Sequence, residues 1–197
     1  MTAAAKVTDP GKPRRAVDRI RETARDLFYR RGIRDVGVEE IVTTAGVTKP
    51  SLYRAFASKD ELAAAYIRDY DREFWDRFEA VTAPHAGDPK AQVLAWVQAI
   101  EDRTRVSRYR GCGMTNAAVE YPDRDHPARR LSVENKKEYR RRLRALARDM
   151  GARNPDLLGD GLLLLIEGTY ASAQLFEGDG PAVHLAAAAA ALIDASL

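Results

Sequence analysis

Cysteine is nearly absent: Cys112 is the only one in 197 residues, so no disulfide can close within the chain, which fits a reducing cytoplasm. Histidine is scarce too, and His85, His126 and His184 stand far apart with no shared spacing. No metal-ligand cluster, glycine-rich phosphate loop or serine-centred elbow accompanies them. Neither a metal site, a cofactor nor a catalytic constellation is therefore expected, and Cys112 lacks a histidine base nearby in sequence. Long apolar runs are also missing. The longest, "LAAAAAALI" from Leu185 to Ile193, falls well short of the roughly 20 residues that a membrane span needs. Residues 1–20 carry scattered basic side chains and no apolar stretch of the signal-peptide kind. No segment stands out for strand-like alternation. What these absences leave is an all-α cytoplasmic protein that is neither an enzyme nor a membrane protein.

The composition that remains, 45% hydrophobic and 31% charged, is that of a folded globular chain. Its net charge of +3 is unevenly spread. Residues 1–60 hold 13 Lys and Arg against 8 Asp and Glu, whereas the remainder holds 19 against 21. A basic N-terminal end is suited to meeting a polyanion.

Residues 1–12 have no periodicity and read as a mobile tail. Pro13 can open a first helix, whose face Val17, Ile20, Ala24, Leu27 and Phe28 would bury, with Gly32 as its stop. A second helix is expected over about Val38–Ala45, ended by Gly46, and a third from Lys49 or Pro50. Ser58 with Glu61 forms a capping-box signature for a fourth. Its stripe Leu62, Tyr66, Tyr70, Phe74, Phe78 and Val81 runs to Pro84, a rod of about 36 Å at roughly 1.5 Å per residue. Further helices follow Asp88-Pro89, the segment "GCGMTNAAVEY", and Ala128 to Met150; another runs from Asn154-Pro155 to Phe176, and a last one from Pro181. About nine helices result. They divide into a three-helix, helix-turn-helix head over 13–57 and a larger helical body over 58–197.

Helix, glycine turn, helix is the plan that lays its second helix in the major groove of duplex DNA. Thr48, Lys49, Pro50, Ser51, Tyr53 and Arg54 occupy the first turn or so of that helix, and Lys59 opens the next. Leu52 and Tyr53 cannot both point inward, so one reaches outward. Pro50 in the first turn leaves the helix N-terminus facing a phosphate without losing a hydrogen bond.

The run "GVTKPSLYRAFASKDEL", Gly46 to Leu62, with "GIRDVGVEEIVTTA" before it, resembles the DNA-binding head of the tetracycline-repressor (TetR) family. Every fixed position of that family's Gly-Val-Ser/Thr-x-x-x-Leu-Tyr-x-x-Phe-x-Ser-Lys-x-x-Leu pattern is matched. The resemblance covers about residues 14–62. It implies a homodimer with a variable ligand-binding body that represses transcription until a small molecule binds. It also implies that Thr48, Lys49, Ser51, Tyr53 and Lys59 touch DNA. Two places depart from the pattern: Val36-Gly37 replaces a frequent Thr and Ser/Thr pair that caps the second helix, and Ala55 replaces a frequent His or Tyr, a contact that Arg54 is placed to take over. "RGCGMTNAAVEYPDRDHPARR" resembles a block in one subgroup of these regulators, with no particular ligand attached.

For the body, "LLLLIEGTYASAQLF" and "PAVHLAAAAAALIDASL" are more apolar than one small core requires, so a homodimer through the last two helices is expected, as a four-helix bundle on a pseudo-palindromic double-stranded operator. An unidentified small-molecule effector would bind among Trp75, Phe78, Trp96, Tyr109, Met114, Asn116, Glu120 and Tyr170. Glu167, inside an apolar run, would either find a structural partner or anchor a ligand. The arginines of "KKEYRRRLRALARDM" form either a solvated face or a second acidic-partner contact. The alternative switch is redox, with Cys112 between two glycines as an oxidisable thiol.

Overall fold

The computed structural model describes residues 15–176 and 178–197, so the tail assigned to 1–12 and the helix start at Pro13 lie outside the described residues. Within them the chain forms nine α-helices and no strand: α1 Ala16–Arg31, α2 Val38–Ala45, α3 Lys49–Ala55, α4 Lys59–Thr82, α5 Pro89–Thr104, α6 Gly113–Glu120, α7 Pro127–Asp149, α8 Pro155–Ser172 and α9 Leu185–Ser196.

The helices at the N-terminal end fold around α1, which buries Ile20, Ala24 and Phe28 at a spacing of four and leaves Val17 and Leu27 half-buried. α2 adds Ile41, Val42 and Ala45, and α3 adds Leu52. The turn between α2 and α3 is a Schellman closure: Gly46 is left-handed at φ 61°, ψ 43°, and the Val47 N–H donates to the Val42 carbonyl at 3.0 Å. That geometry sends α3 off sharply enough to bring Leu52 back onto α1.

α4 starts as its capping residues dictate, with one shift of partner. Ser58 Oγ accepts from the Glu61 N–H at 3.1 Å, but the Glu61 carboxylate accepts from Ala57 N–H at 2.7 Å, one residue earlier than the standard box. Six consecutive residues, Leu62 to Ile67, are buried, because α1 packs on one side of α4 and α6 and α7 on the others. Further along, α4 is a one-sided helix that buries Phe74, Phe78 and Thr82. Two ion pairs strap α1 to it, Arg21–Asp69 and Arg25–Glu73, both at 2.6 Å.

The body packs around the α7–α8 pair. Gly159 makes this approach possible, since a Cβ there would stand 2.7 Å from the Arg144 backbone. α7 buries Tyr139, Leu143 and Ala147, with Leu146 and Met150 half-buried. Its arginines form an ion-pair network across helices: Arg140 and Arg144 grip Asp160 of α8 at 2.6 Å, and Arg142 pairs with Glu79 of α4 at 2.5 Å. Their charge is largely answered within the fold, in keeping with a solvated face.

α5 buries Val93, Trp96, Val97 and Ile100 and leaves Leu94 half-buried. Two expected details differ. α8 ends at Ser172 rather than Phe176, because Gln174 and Leu175 donate three residues back, to Ala171 and Ser172, and tighten the chain out of the α-helix. Pro181–His184 is a 3-10 turn, so the last α-helix begins at Leu185.

Candidate nucleic-acid interface and effector site

α3 separates its two faces cleanly. Leu52 is fully buried and Phe56 nearly so, whereas Tyr53 is 45% exposed. Thr48, Lys49, Pro50, Arg54 and Ala55 are exposed with it and Ser51 is half-buried, so the helix presents one polar, cationic side to solvent. Thr48 is the N-cap: its Oγ1 accepts from the Ser51 N–H at 3.4 Å and lies 2.9 Å from the Ser51 hydroxyl. One amide at the helix start is thereby used within the helix. Arg54 Nη2 donates to Ser51 Oγ at 3.1 Å, and Lys49 lies 3.8 Å from Glu39 at the start of α2. Lys59 stands apart from this group. It is half-buried, its Nζ donates to the Arg34 carbonyl at 3.2 Å, and burial pushes its pKa down. It ties the loop before α2 to the start of α4.

Gly37 is the N-cap of α2 and makes no side-chain cap hydrogen bond. Its φ of −81° suits any residue, and a Cβ there would meet nothing within 4 Å. Gly37→Ser is therefore expected to raise unfolding free energy by about 0.5–1 kcal/mol, from a new cap and a stiffer unfolded chain. Calorimetry would show this as a higher Tm; an unchanged or lower one would contradict the cap.

Residues 20–66 match the family model described as bacterial regulatory proteins, tetR family. Over nearly the whole chain, a TetR-family transcriptional regulator from Streptomyces coelicolor is similar at 29% identity and a TM-score of 0.82, covering 92% of this chain and 93% of that one. Residues 20–66 thus carry the N-terminal TetR-family domain, and the described chain has the fold of a TetR-family regulator. Among curated relatives, the HTH-type transcriptional repressor BdcR of Escherichia coli is 39% identical over 62 residues, 31% of this chain and 32% of BdcR. The HTH-type transcriptional repressor KstR2 of Mycolicibacterium smegmatis is 28% identical over 72 residues, 36% of this chain and 35% of KstR2. The chain thus spans about a third of the length of the curated relatives it matches. Regulatory protein TetR from Rhodobacter sphaeroides, 22% identical, shares the fold at a TM-score of 0.76 over 92% of this chain and 99% of its own. Among the described residues no helix is long and apolar enough to cross a membrane.

In the body the eight residues expected around an effector do not meet in one place. Trp75, Phe78 and Trp96 interlock edge to face with Phe74 and Tyr139, with ring centroids 5.0–6.3 Å apart. Trp96 Nε1 donates to the Tyr139 hydroxyl, and the Arg142 guanidinium covers the outer face of Trp75 at 4.1 Å. Trp96, Tyr109 and Tyr170 do share a cavity, of about 20 Å³. Met114 lies instead on a groove of about 370 Å³ between α6, α7 and α8. Asn116 is turned away from both, its Nδ2 donating to the Arg110 carbonyl at 2.6 Å. Glu120 is a joint residue: its carboxylate accepts from the Arg34 N–H at 2.9 Å and lies against Gly32, fixing α6 to the loop after α1. A carboxylate and an amide in an apolar block look like pocket residues in sequence; here backbone groups of residues 34 and 110 have claimed them.

Glu167 has structural partners, Lys136 at 2.5 Å and Thr115 at 2.7 Å. Lys136 Nζ also reaches Cys112 Sγ at 3.4 Å, and Cys112 is buried. Periodicity gave no hint of a cleft of about 830 Å³ between α1 and α4, bordered by Tyr29, Tyr66, Tyr70, Arg77 and Arg103 among others. Arg77 and Arg103 come from separate helices and carry no spacing signal.

Proposed function

We propose that this TetR-family chain is a DNA-binding transcriptional repressor that acts as a homodimer on a pseudo-palindromic operator and is released by a small molecule. The observation that carries the reading is the exposed face of α3, where Thr48, Lys49, Pro50, Ser51, Tyr53 and Arg54 stand around a buried Leu52. Lys49 and Arg54 supply charge for phosphates or guanine edges, and Tyr53 supplies a hydroxyl and a flat ring. Lys59, with two N–H groups left beyond its bond to Arg34, would reach the backbone from the side. The head would take in residues 13–57 and the body residues 58–197.

The dimer would form on α8 and α9. Leu157, Leu164, Gly168, Ala171 and Leu175 follow one line along α8 and just past its end, and all are exposed; the leucines are 69–78% so. Ala187, Ala188, Ala191 and Ala195 are exposed on α9 beside them. Such a face buries itself against its own copy across a two-fold axis. The effector would bind beside α4, on the side where Trp96, Tyr109 and Tyr170 share a small cavity, with tilting of α4 carrying the signal.

Fragments selected from random DNA supply the operator for the test. The Lys49→Ala/Tyr53→Ala protein is expected to bind it about 10–100-fold more weakly at fixed salt, with unaltered circular dichroism. Equal affinity of the unaltered protein for operator and random DNA would end the proposal.

A further inference from the structure

Arg77 of α4 and Arg103 of α5 border both the 830 Å³ cleft and the small cavity behind it, so they form part of the wall between them. Neither guanidinium has an ion-pair partner or a hydrogen-bond acceptor among the described residues, and Arg77 Nε is fully buried without one. Two other arginines of the same cleft are paired, Arg25 with Glu73 at 2.6 Å and Arg30 with Asp26 at 2.8 Å, and Arg19 is exposed to solvent. Buried polar groups are as a rule paired, and a buried guanidinium almost always is. Burial, and after it the like charge of Arg103, push the Arg77 pKa down from its ordinary value. Two neighbouring cations with no ion-pair partner among the described residues, while Glu73 and Asp26 pair with Arg25 and Arg30, describe a receptor for an anion.

The floor beside them is aromatic. Tyr66 is buried and Tyr29 and Tyr70 half-buried, the latter two stacked with centroids 6.3 Å apart. The rim, by contrast, is exposed and ionic. At about 20 Å³ the inner cavity has room for about one water, so a bound molecule's bulk must lie in the outer cleft. A guanidinium pair matches the fork of a carboxylate or sulfonate, and tyrosine faces match a flat apolar body.

We propose that the effector is an aromatic organic anion, seated between α1 and α4 with its acid group on Arg77 and Arg103 and its ring system on Tyr29, Tyr66 and Tyr70. The proposal rests on the reading of the chain as an effector-released repressor and names the effector's chemical class. It also gives the signal a route. The cleft is flanked by the Arg25–Glu73 strap, so a ligand acid beside Glu73 alters the electrostatic bond that holds α1 to α4.

The test uses two fluorescent probes that differ by one group, anilinonaphthalenesulfonate and the neutral phenylnaphthylamine. The full-length protein is expected to bind the sulfonate saturably, and the Arg77→Met/Arg103→Met protein to bind it at least about tenfold more weakly, while the neutral probe stays within about twofold. Arg30→Met, which removes a paired rim arginine, is expected to change neither. The free double variant should melt no lower than the unaltered protein, because it loses an uncompensated buried charge; a structural role for Arg77 would lower its Tm. No saturable sulfonate binding, or equal loss of both probes, overturns the proposal. The operator complex separates the two readings. If the sulfonate binds through both arginines but never displaces DNA, the anion site stands and effector release falls. If small molecules release DNA from the double variant as readily as from the unaltered protein, release stands and the anion site falls.

Discussion

Leu164→Glu is expected to yield a folded monomer whose operator affinity has fallen by about 10³ or more. Leu164 is 73% exposed and lies in the middle of the bare stripe on α8, so a carboxylate there harms nothing in the isolated chain. In the proposed dimer it would be buried opposite its own copy, where two like charges cannot be solvated. Losing the dimer removes one of two linked half-site contacts, and with it the gain from effective concentration, which is on the order of 10²–10⁴. Light scattering and operator titration at one salt concentration read both effects. A dimer that persists in the Leu164→Glu protein would move the interface elsewhere. A monomer that still binds operator as tightly as before would remove the two-fold model of recognition.

Phe74→Ala should be the most damaging single change in the body, costing about 3–5 kcal/mol. Phe74 is 2% exposed, and its ring meets the edges or faces of Trp75, Trp96 and Tyr139 at 5.0, 5.5 and 5.1 Å. Truncation opens a void that large rings, fixed by their own hydrogen bond and cation contact, cannot collapse into. Against a typical total of about 5–15 kcal/mol that is a large fraction, and it should lower Tm by roughly 10 °C in a chain of this size. Chemical denaturation gives the number directly. A loss under about 1 kcal/mol would mean that the cluster relaxes freely and is not the centre of the body's packing.

Most helices of this protein were readable in its sequence because they begin or end on residues with a local mechanism. Ser58, Asp88 and Asn154 all accept from the backbone three residues on, and Gly46 takes the left-handed turn. The exposed side of α3 was readable for a similar reason, since Leu52 and Tyr53 are adjacent on a helix and only one can face inward. The body's binding features were not. What distinguishes Arg77 and Arg103 is that no acid among the described residues pairs with them, and lack of a partner is a property of the assembled helices rather than of a string. The converse holds for Asn116 and Glu120, which look available in sequence and are occupied by backbone groups of residues 110 and 34. The arginines of α7 follow the same logic, because their acids lie on α4 and α8 as well as on α7 itself.

Tyr66 has one face in each half of the molecule. Its ring meets Phe28 of α1 edge to face at 5.7 Å, and a side chain at Gly113 of α6 would collide with its hydroxyl at 2.7 Å. The N-terminal helices therefore do not own all the walls of their interior; the first two turns of α4 supply one. A fragment cut just before α4 would leave Phe28 and its neighbours open to water, and such a piece made alone would be prone to clump or to be clipped by proteases. Any piece meant to stand by itself has to carry the chain through Ile67.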